Sequence, residues 1–224
     1  MASALADVQA RIAKAADLNS RPLEDITLIV VSKNKPVSVA KALFDLGIRD
    51  FGENRDQEAK PKSVELTELT NGEEVTWHFI GQLQSNKVKS MLTYASSLHS
   101  LDRDSLLKEL AKQLSSGERT LDVFIELNLT QDEGRGGIEP KNLLPFAEAV
   151  LAVPQLRLKG VMSVAPLEVD PNRAFEATWH ASEQLKTVKP EAKYISAGMS
   201  HDFEAAIAHG ATHLRIGSAI TAFA

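Results

Sequence analysis

Short apolar runs alternate with amphipathic helical stretches along this whole 224-residue chain. The runs read as strands over Thr27–Val31, 48–51, 75–80, 97–100, 121–129, 158–164, 193–195 and 212–216. Between them the apolar residues recur at helical spacing. Val39, Ala42, Leu43 and Leu46 share one face behind Pro36, with Gly47 as the stop. Further helices are expected after Asn54, from about 85, over Asp104–Leu114, 140–152, Pro171–Lys186 and 202–209, and from Ser218 onward. Unbroken β–α alternation demands parallel strands, because each crossover returns the chain to the same edge direction. Eight units favour closure into a (β/α)8 TIM barrel over a doubly wound open sheet. No linker or internal repeat interrupts the pattern, so residues 1–224 are expected to form one barrel domain. An extra N-terminal helix comes first, with Leu5, Val8, Ile12 and Ala16 on one face.

The first run, Thr27–Val31, is aliphatic on both parities, as in a strand covered on both faces. Ser32-Lys33-Asn34 follows it. An amine where such a strand surfaces is expected to be partly desolvated, which disfavours the ammonium and frees the lone pair for Schiff-base formation. Lys35 is a rival, expected to point to solvent at the helix entry. At the other end of the chain, two glycine turns follow the last two strands: Ser196-Ala197-Gly198-Met199-Ser200-His201-Asp202 and Arg215-Ile216-Gly217-Ser218-Ala219. Glycine allows close backbone approach to a ligand, and the loops after barrel strands 7 and 8 are the usual phosphate site. A barrel mouth would gather Lys33, Asn54, His78, Asn128, Met162, Ser163, Ser200 and Arg215. On closure the amine from strand 1 faces the turns from strands 7 and 8. A phosphate-bearing aldehyde such as pyridoxal 5′-phosphate (PLP) would span them.

Composition narrows the alternatives. The net charge of −5 supplies no basic field, so nucleic acid is not an expected partner. The absence of cysteine removes disulfides, thiol catalysis and Cys-ligated zinc or iron–sulfur clusters. His99, His180, His209 and His213 have no metal-ligand spacing, and no metal is expected. No run has membrane-spanning length and the N-terminus lacks a signal-peptide core, so a cytoplasmic domain without membrane contact is expected. The acidic stretch 65–74 reads as a solvated face.

Five strings carry a family resemblance: Val30-Val31-Ser32-Lys33-Asn34-Lys35-Pro36, Phe51-Gly52-Glu53-Asn54-Arg55, Trp77-His78-Phe79-Ile80-Gly81 with Leu83-Gln84-Ser85-Asn86-Lys87, Gly198-Met199-Ser200, and Arg215-Ile216-Gly217. Together the chain resembles the YggS/PROSC family of PLP homeostasis proteins over essentially its whole length. The resemblance implies a barrel like the N-terminal domain of alanine racemase (PLP fold type III). It implies PLP as a Schiff base on Lys33, with Ser200, Gly217 and Ser218 in the phosphate turns and Met199 in the first of them. Arg215 would face the pyridine nitrogen and Asn54 would line the cofactor. His78 is counted as cofactor-binding too, although a satisfied core histidine remains the alternative. The chain departs from the pattern at Ala197, at Gln82, in the loop Glu133-Gly134-Arg135-Gly136-Gly137, and in its ending, Thr221-Ala222-Phe223-Ala224.

A guanidinium cannot accept a proton. At the ring nitrogen it would keep that nitrogen unprotonated and make PLP a poor electron sink. The expected role is therefore intracellular PLP and amino-acid homeostasis, as a carrier or regulator with no catalytic residues, acting as a monomer with apo PLP-dependent enzymes as acceptors. The rival is an amino-acid racemase of the alanine racemase type. It is disfavoured because the chain stops near strand 8 without the racemase's C-terminal domain, and because Tyr94 and Tyr194 lie near strand starts. A regulatory module that reads PLP as a signal to a protein partner is the third reading.

Overall fold

The computed structural model describes residues 1–115, 117–130, 132, 134–166 and 168–222. Eight parallel strands close into a barrel in sequence order: β1 (Thr27–Val31), β2 (Asp50–Glu53), β3 (Thr76–Phe79), β4 (Ser97–Leu101), β5 (Leu121–Glu126), β6 (Leu156–Met162), β7 (Tyr194–Ser196) and β8 (His213–Ile216). The closing seam pairs Thr27 with His213 and Val30 with Ile216. The helices α1 (Ala2–Leu18), α2 (Val37–Asp45), α3 (Asp56–Leu69), α4 (Val88–Met91), α5 (Asp104–Leu114), α6 (Leu143–Leu151), α7 (Pro171–Lys186), α8 (Phe203–Ala208) and α9 (Ser218–Thr221) accompany them. α1 precedes the barrel and packs on α8 and α9.

The main apolar core lies between strands and helices. Val30, Phe51, Phe79, Leu98, Val123 and Ile125 on the strands meet buried helix faces such as Leu106, Leu107, Leu110 and Leu114 of α5. Each fully buried side chain of this size contributes about 1.5–3 kcal/mol. α7 starts where Asp170 accepts the Asn172 N–H and Pro171 takes the first turn, where no N–H is needed. The opposite strand parity fills the lumen differently. His99 stacks on Phe124 at 4.4 Å, and His213 packs edge-on against both rings and Tyr194.

α5, α7 and β1 have the bounds read from the sequence, whereas the other strands shift at one or both ends, two of them for a visible reason. The run 48–51 becomes Asp50–Glu53, because the Ile48 N–H closes α2 onto Leu43 O behind Gly47 at φ +94°. The run 121–129 stops at Glu126, because Asn128 turns its side chain to the following loop. Its amide donates to Asp132 O and Arg135 O while its Oδ1 accepts from Thr130.

The extension of β2 buries Glu53 completely. Its Oε1 accepts from Lys62 Nζ of α3 at 2.5 Å and from Ser32 Oγ at 2.7 Å, and Lys62 also donates to Ser32 O at 2.8 Å. Three elements are thus tied at the end of β1. Removing one member strands the other charge in the interior, which typically costs about 3–5 kcal/mol, whereas apolar replacement of the whole pair is often near neutral. Lys62→Met is expected to destabilise the fold by roughly that amount and Glu53→Leu/Lys62→Met by much less. Urea unfolding of both variants checks this, and equal losses would show that lost packing, not the stranded carboxylate, is responsible.

Candidate functional site

The Lys33 turn is built by β1 and the residues next to it. Ser32 N–H donates to Gly52 O, Lys35 N–H donates back to Ser32 O, and Asn34 sits at φ +59°, a conformation asparagine tolerates. The Asn34 N–H donates to Glu58 of α3 at 3.0 Å. Within this well-fixed turn the Lys33 side chain is exposed. That corrects the expectation of a desolvated amine. The chain leaves the sheet at Ser32, and it is Ser32, not Lys33, that occupies the buried position. Lys35 is half-buried rather than turned to solvent.

The two glycine turns lie side by side and next to that lysine. Gly198, at φ +92°, passes its carbonyl to the Arg215 N–H, and the Met199 N–H is held by Asp202 Oδ1. Ser200 is buried, and its Oγ accepts the Ala219 N–H at 3.2 Å, so the first turn is tied to the second. Gly217 packs on the end of β1. A Cβ there would lie 3.2 Å from Val31 Cβ and 3.3 Å from Val31 O. The β8 turn therefore abuts the strand end one residue before Ser32. Ser218 is exposed at the head of α9.

Arg215 projects into the barrel and is only 5% exposed. Its Nη1 donates to Ser196 Oγ at 2.6 Å and its Nη2 to Ser163 O at 2.8 Å. Among the described residues it makes no ion pair with a carboxylate. Burial pulls the guanidinium down to about 10, while Glu126 and Asp202 push the other way, so it stays cationic near neutrality. A buried cation that carboxylates reach only through space is costly, and a further acceptor on it would be favourable. Among the described residues Asn54 Oδ1, at the end of β2, is buried with no hydrogen-bond partner, as are Glu53 Oε2 and Ser97 Oγ. The Gly81 backbone is packed so tightly on Asn54 that a Cβ would collide with the Asn54 carbonyl.

His78 is a correction. Its Nε2 lies 3.0 Å from Asp50 Oδ1 and its Nδ1 3.0 Å from His99 Nε2. Both ring nitrogens are committed inside the barrel, as in a satisfied core histidine, and neither is left for a ligand. His99, Ser196, Glu53, Lys62 and Glu126 were all missed. Lys62 was visible in principle, because it interrupts the apolar face of α3 formed by Ala59 and Leu66. His99 and Ser196 carry only a weak mark, polar residues inside short strands.

Two clefts of about 680 Å³ flank these residues. One, lined by Asn54, Glu58, Gly81, Gln82 and Lys87, reaches the Lys33 turn through Glu58. The other lies between the loop after β5 and α7, around Asn128, Thr130, Pro166 and Arg173, and of the mouth residues read from the sequence it borders Asn128 alone. Of the variant loop after β5, Glu133 is outside the described residues, as are Phe223 and Ala224 of the chain ending. Gly136 of that loop sits so close to Gln82 that a side chain would displace it. No group of three or more His, Asp or Glu among the described residues could hold a metal, and no described helix is long and apolar enough to cross a membrane.

The family model for the alanine racemase N-terminal domain matches residues 7–223. The pyridoxal phosphate homeostasis protein of Escherichia coli K12 is 40% identical over 220 residues, 96% of this chain and 93% of that protein. This chain belongs to the pyridoxal phosphate homeostasis protein family. A solved relative, PipY from Synechococcus elongatus with PLP bound, superposes with a TM-score of 0.81 at 32% identity, covering 93% of this chain and 99% of that one. Alanine racemase from Corynebacterium glutamicum shares the fold (TM-score 0.69, 15% identity), this barrel corresponding to 60% of its length and 98% of this chain being covered.

In this member of the family, Glu126 closes β5 beside the Arg215 guanidinium. Burial, reinforced by Asp102, raises its carboxyl to about 7, against the pull of Arg215, Arg135 and Arg103. A carboxyl whose folded pKa exceeds its unfolded value holds extra protons when folded. Its contribution to stability is therefore complete below about 4.5 and lost as pH rises to about 7. Glu126→Gln removes this titration. The stability of the native chain minus that of the variant is expected to fall across that window in urea unfolding at stepped pH. A flat difference would place the Glu126 titration at the ordinary carboxylate value.

Proposed function

We propose that this chain binds PLP at the barrel mouth and serves intracellular PLP and amino-acid homeostasis as a carrier or regulator without turnover. The observation that carries this reading is the contact of Gly217 with Val31, which sets the second glycine turn beside the Lys33 turn. Lys33 is the amine that holds the aldehyde covalently. The turns at Ser200 and Gly217–Ser218 hold the phosphate, while Asn54 and Met199 line the ring. The Asn54 Oδ1, without a partner among the described residues, and the buried Arg215, which has no direct ion pair among them, suit a polar, anionic ligand. When bound, PLP supplies an aldehyde that captures amines reversibly and a ring that can withdraw electrons. Arg215, a donor without acceptor capacity, opposes protonation of the ring nitrogen and so weakens that withdrawal. Exposure of Lys33 leaves the covalent bond open to water and to incoming amines. That suits uptake and release to apo PLP-dependent enzymes in the cytoplasm better than chemistry that must exclude water. The names of the homeostasis relatives and the PLP-bound PipY structure support the same reading.

Borohydride reduction followed by peptide mapping is expected to place a pyridoxyl group on Lys33, and Lys33→Ala to abolish it in a folded protein. An adduct on Lys35 would defeat the assignment. Gly217→Val should weaken PLP binding more than Ser200→Ala. The serine offers one hydrogen bond to a charged group, about 1.5–3 kcal/mol, whereas the valine must push the β8 turn off β1. Equilibrium dialysis compares them, and unchanged affinity in both would put the phosphate elsewhere.

Absence of turnover is tested separately. Holo-protein with L- and D-amino acids in deuterated water is expected to show no sustained α-hydrogen exchange. Many exchanges per site would restore the racemase reading.

A further inference from the structure

Five polar side chains from five strands join hands across the barrel interior: Arg215 (β8), Ser196 (β7), His99 (β4), His78 (β3) and Asp50 (β2). The contacts are Arg215 Nη1 to Ser196 Oγ at 2.6 Å, Ser196 Oγ to His99 Nδ1 at 2.7 Å, His99 Nε2 to His78 Nδ1 at 3.0 Å, and His78 Nε2 to Asp50 Oδ1 at 3.0 Å. Ser196, His99 and His78 are buried, and the Asp50 side chain is 32% exposed.

The two ends fix the direction of every bond. A guanidinium only donates and a carboxylate only accepts. Ser196 Oγ therefore accepts from Arg215, and His78 Nε2 carries the hydrogen that meets Asp50. In a neutral imidazole Nδ1 of His78 is then bare, so His99 Nε2 must donate to it. His99 Nδ1 is bare in turn and takes the Ser196 hydroxyl hydrogen. All four bonds have one donor and one acceptor, and no ring nitrogen is idle. Reversing the central bonds needs a second proton on His78, hence an imidazolium in a lumen that already holds the Arg215 cation. Burial, then the neighbouring His78, His213 and Arg215, keep the His99 ring well below the usual histidine range, so it is neutral. Stacking on Phe124 fixes its plane.

We propose that Ser196, His99, His78 and Asp50 form a one-way hydrogen-bond chain that positions the Arg215 guanidinium and links its charge to the Asp50 carboxylate. The chain stands where Arg215 makes no direct ion pair among the described residues. Because Arg215 keeps its proton, the chain conducts no proton to the mouth. It orients a donor. Ser163 O holds the second arm of the fork. Its consequence for the ligand rests on the PLP reading above. A guanidinium locked in plane presents a fixed donor to the ring nitrogen, whereas a free one could rotate away.

Nitrogen-15 NMR of the ligand-free protein tests the chain itself. Both His78 and His99 are expected to be protonated at Nε2 and bare at Nδ1, and a proton on Nδ1 of either ring overturns the proposal. The Arg215 side-chain N–H signals should be separately resolved in the native protein and in Ser196→Thr, and averaged by rotation in Ser196→Ala. Resolved signals in Ser196→Ala would also overturn it. In PLP titrations, Ser196→Ala should raise the dissociation constant about tenfold and move the visible absorption maximum, with Ser196→Thr restoring both. Unaltered affinity and spectrum in Ser196→Ala, with native binding intact, would refute the positioning role. Failure of the native chain to bind PLP would instead strike the PLP site, while the ligand-free spectra decide the chain.

Discussion

Pairing of β1 with β8 is the constraint on which the rest depends. The register Thr27 to His213, Leu28 to Leu214, Ile29 to Arg215 and Val30 to Ile216 joins strands some 186 residues apart in sequence, 213 minus 27. Only that seam sets Gly217 on Val31 and so brings the β8 turn, to which Ser200 is tied, beside the end of β1. An open sheet of the same elements would leave β1 and β8 on separate edges. The polar chain from Arg215 to Asp50 depends on closure as well, because it crosses from β7 to β4 through the lumen rather than along neighbouring strands. Loop closure over so long a separation is entropically expensive, and the continuous core between strands and helices offsets it.

The fold handles buried charge in two ways. Glu53 and Lys62 neutralise each other directly at the end of β1, and Ser32 supplies further hydrogen bonds to both. This pair needs geometry good enough to offset desolvation. Its return is a rigid exit for the chain into the Lys33 turn. Arg215 has dipoles in direct contact, a hydroxyl, a carbonyl and, beyond the hydroxyl, two imidazoles, while Glu126 and Asp202 act on it only through space. That solution leaves the guanidinium positive and available to a ligand. A direct carboxylate partner would have removed that potential.

Architecture was largely legible in the chain, because strand and helix periods differ and each apolar run was bounded by polar turns. Asp104–Leu114 and Pro171–Lys186 were read to the residue, and the glycine turns after β7 and β8 fell where the sequence put them. What was not legible depends on lateral neighbours. Glu53 looked like a loop residue because its partner Lys62 comes from the next helix. His78 looked like a ligand because nothing in one strand announces that Asp50 and His99 will reach it from both sides. Strand stagger in a barrel decides which interior residues share a level, and no local pattern encodes that stagger. Exposure of Lys33 was misjudged by a single position, since the buried place at the strand end belongs to Ser32.

That one-position difference bears on how the site works. Had Lys33 occupied the place of Ser32, its amine would lie beside the Glu53 carboxylate, fixed as an ion pair and unable to react. With Ser32 there, the carboxylate is already engaged by Lys62 and the Lys33 amine stands free of it. The resulting arrangement is graded with depth. An accessible amine lies at the rim, glycine and serine turns beside it, and a buried cation held by a polar chain lies beneath. On the proposed reading, the groups that would exchange partners are open to water, and the group that would keep one orientation is enclosed. An enzyme performing carbanion chemistry would need the reverse priority at the rim, with water excluded from the bond being made and broken. The depth at which each residue sits suits, on that reading, reversible holding of a cofactor better than its use in turnover.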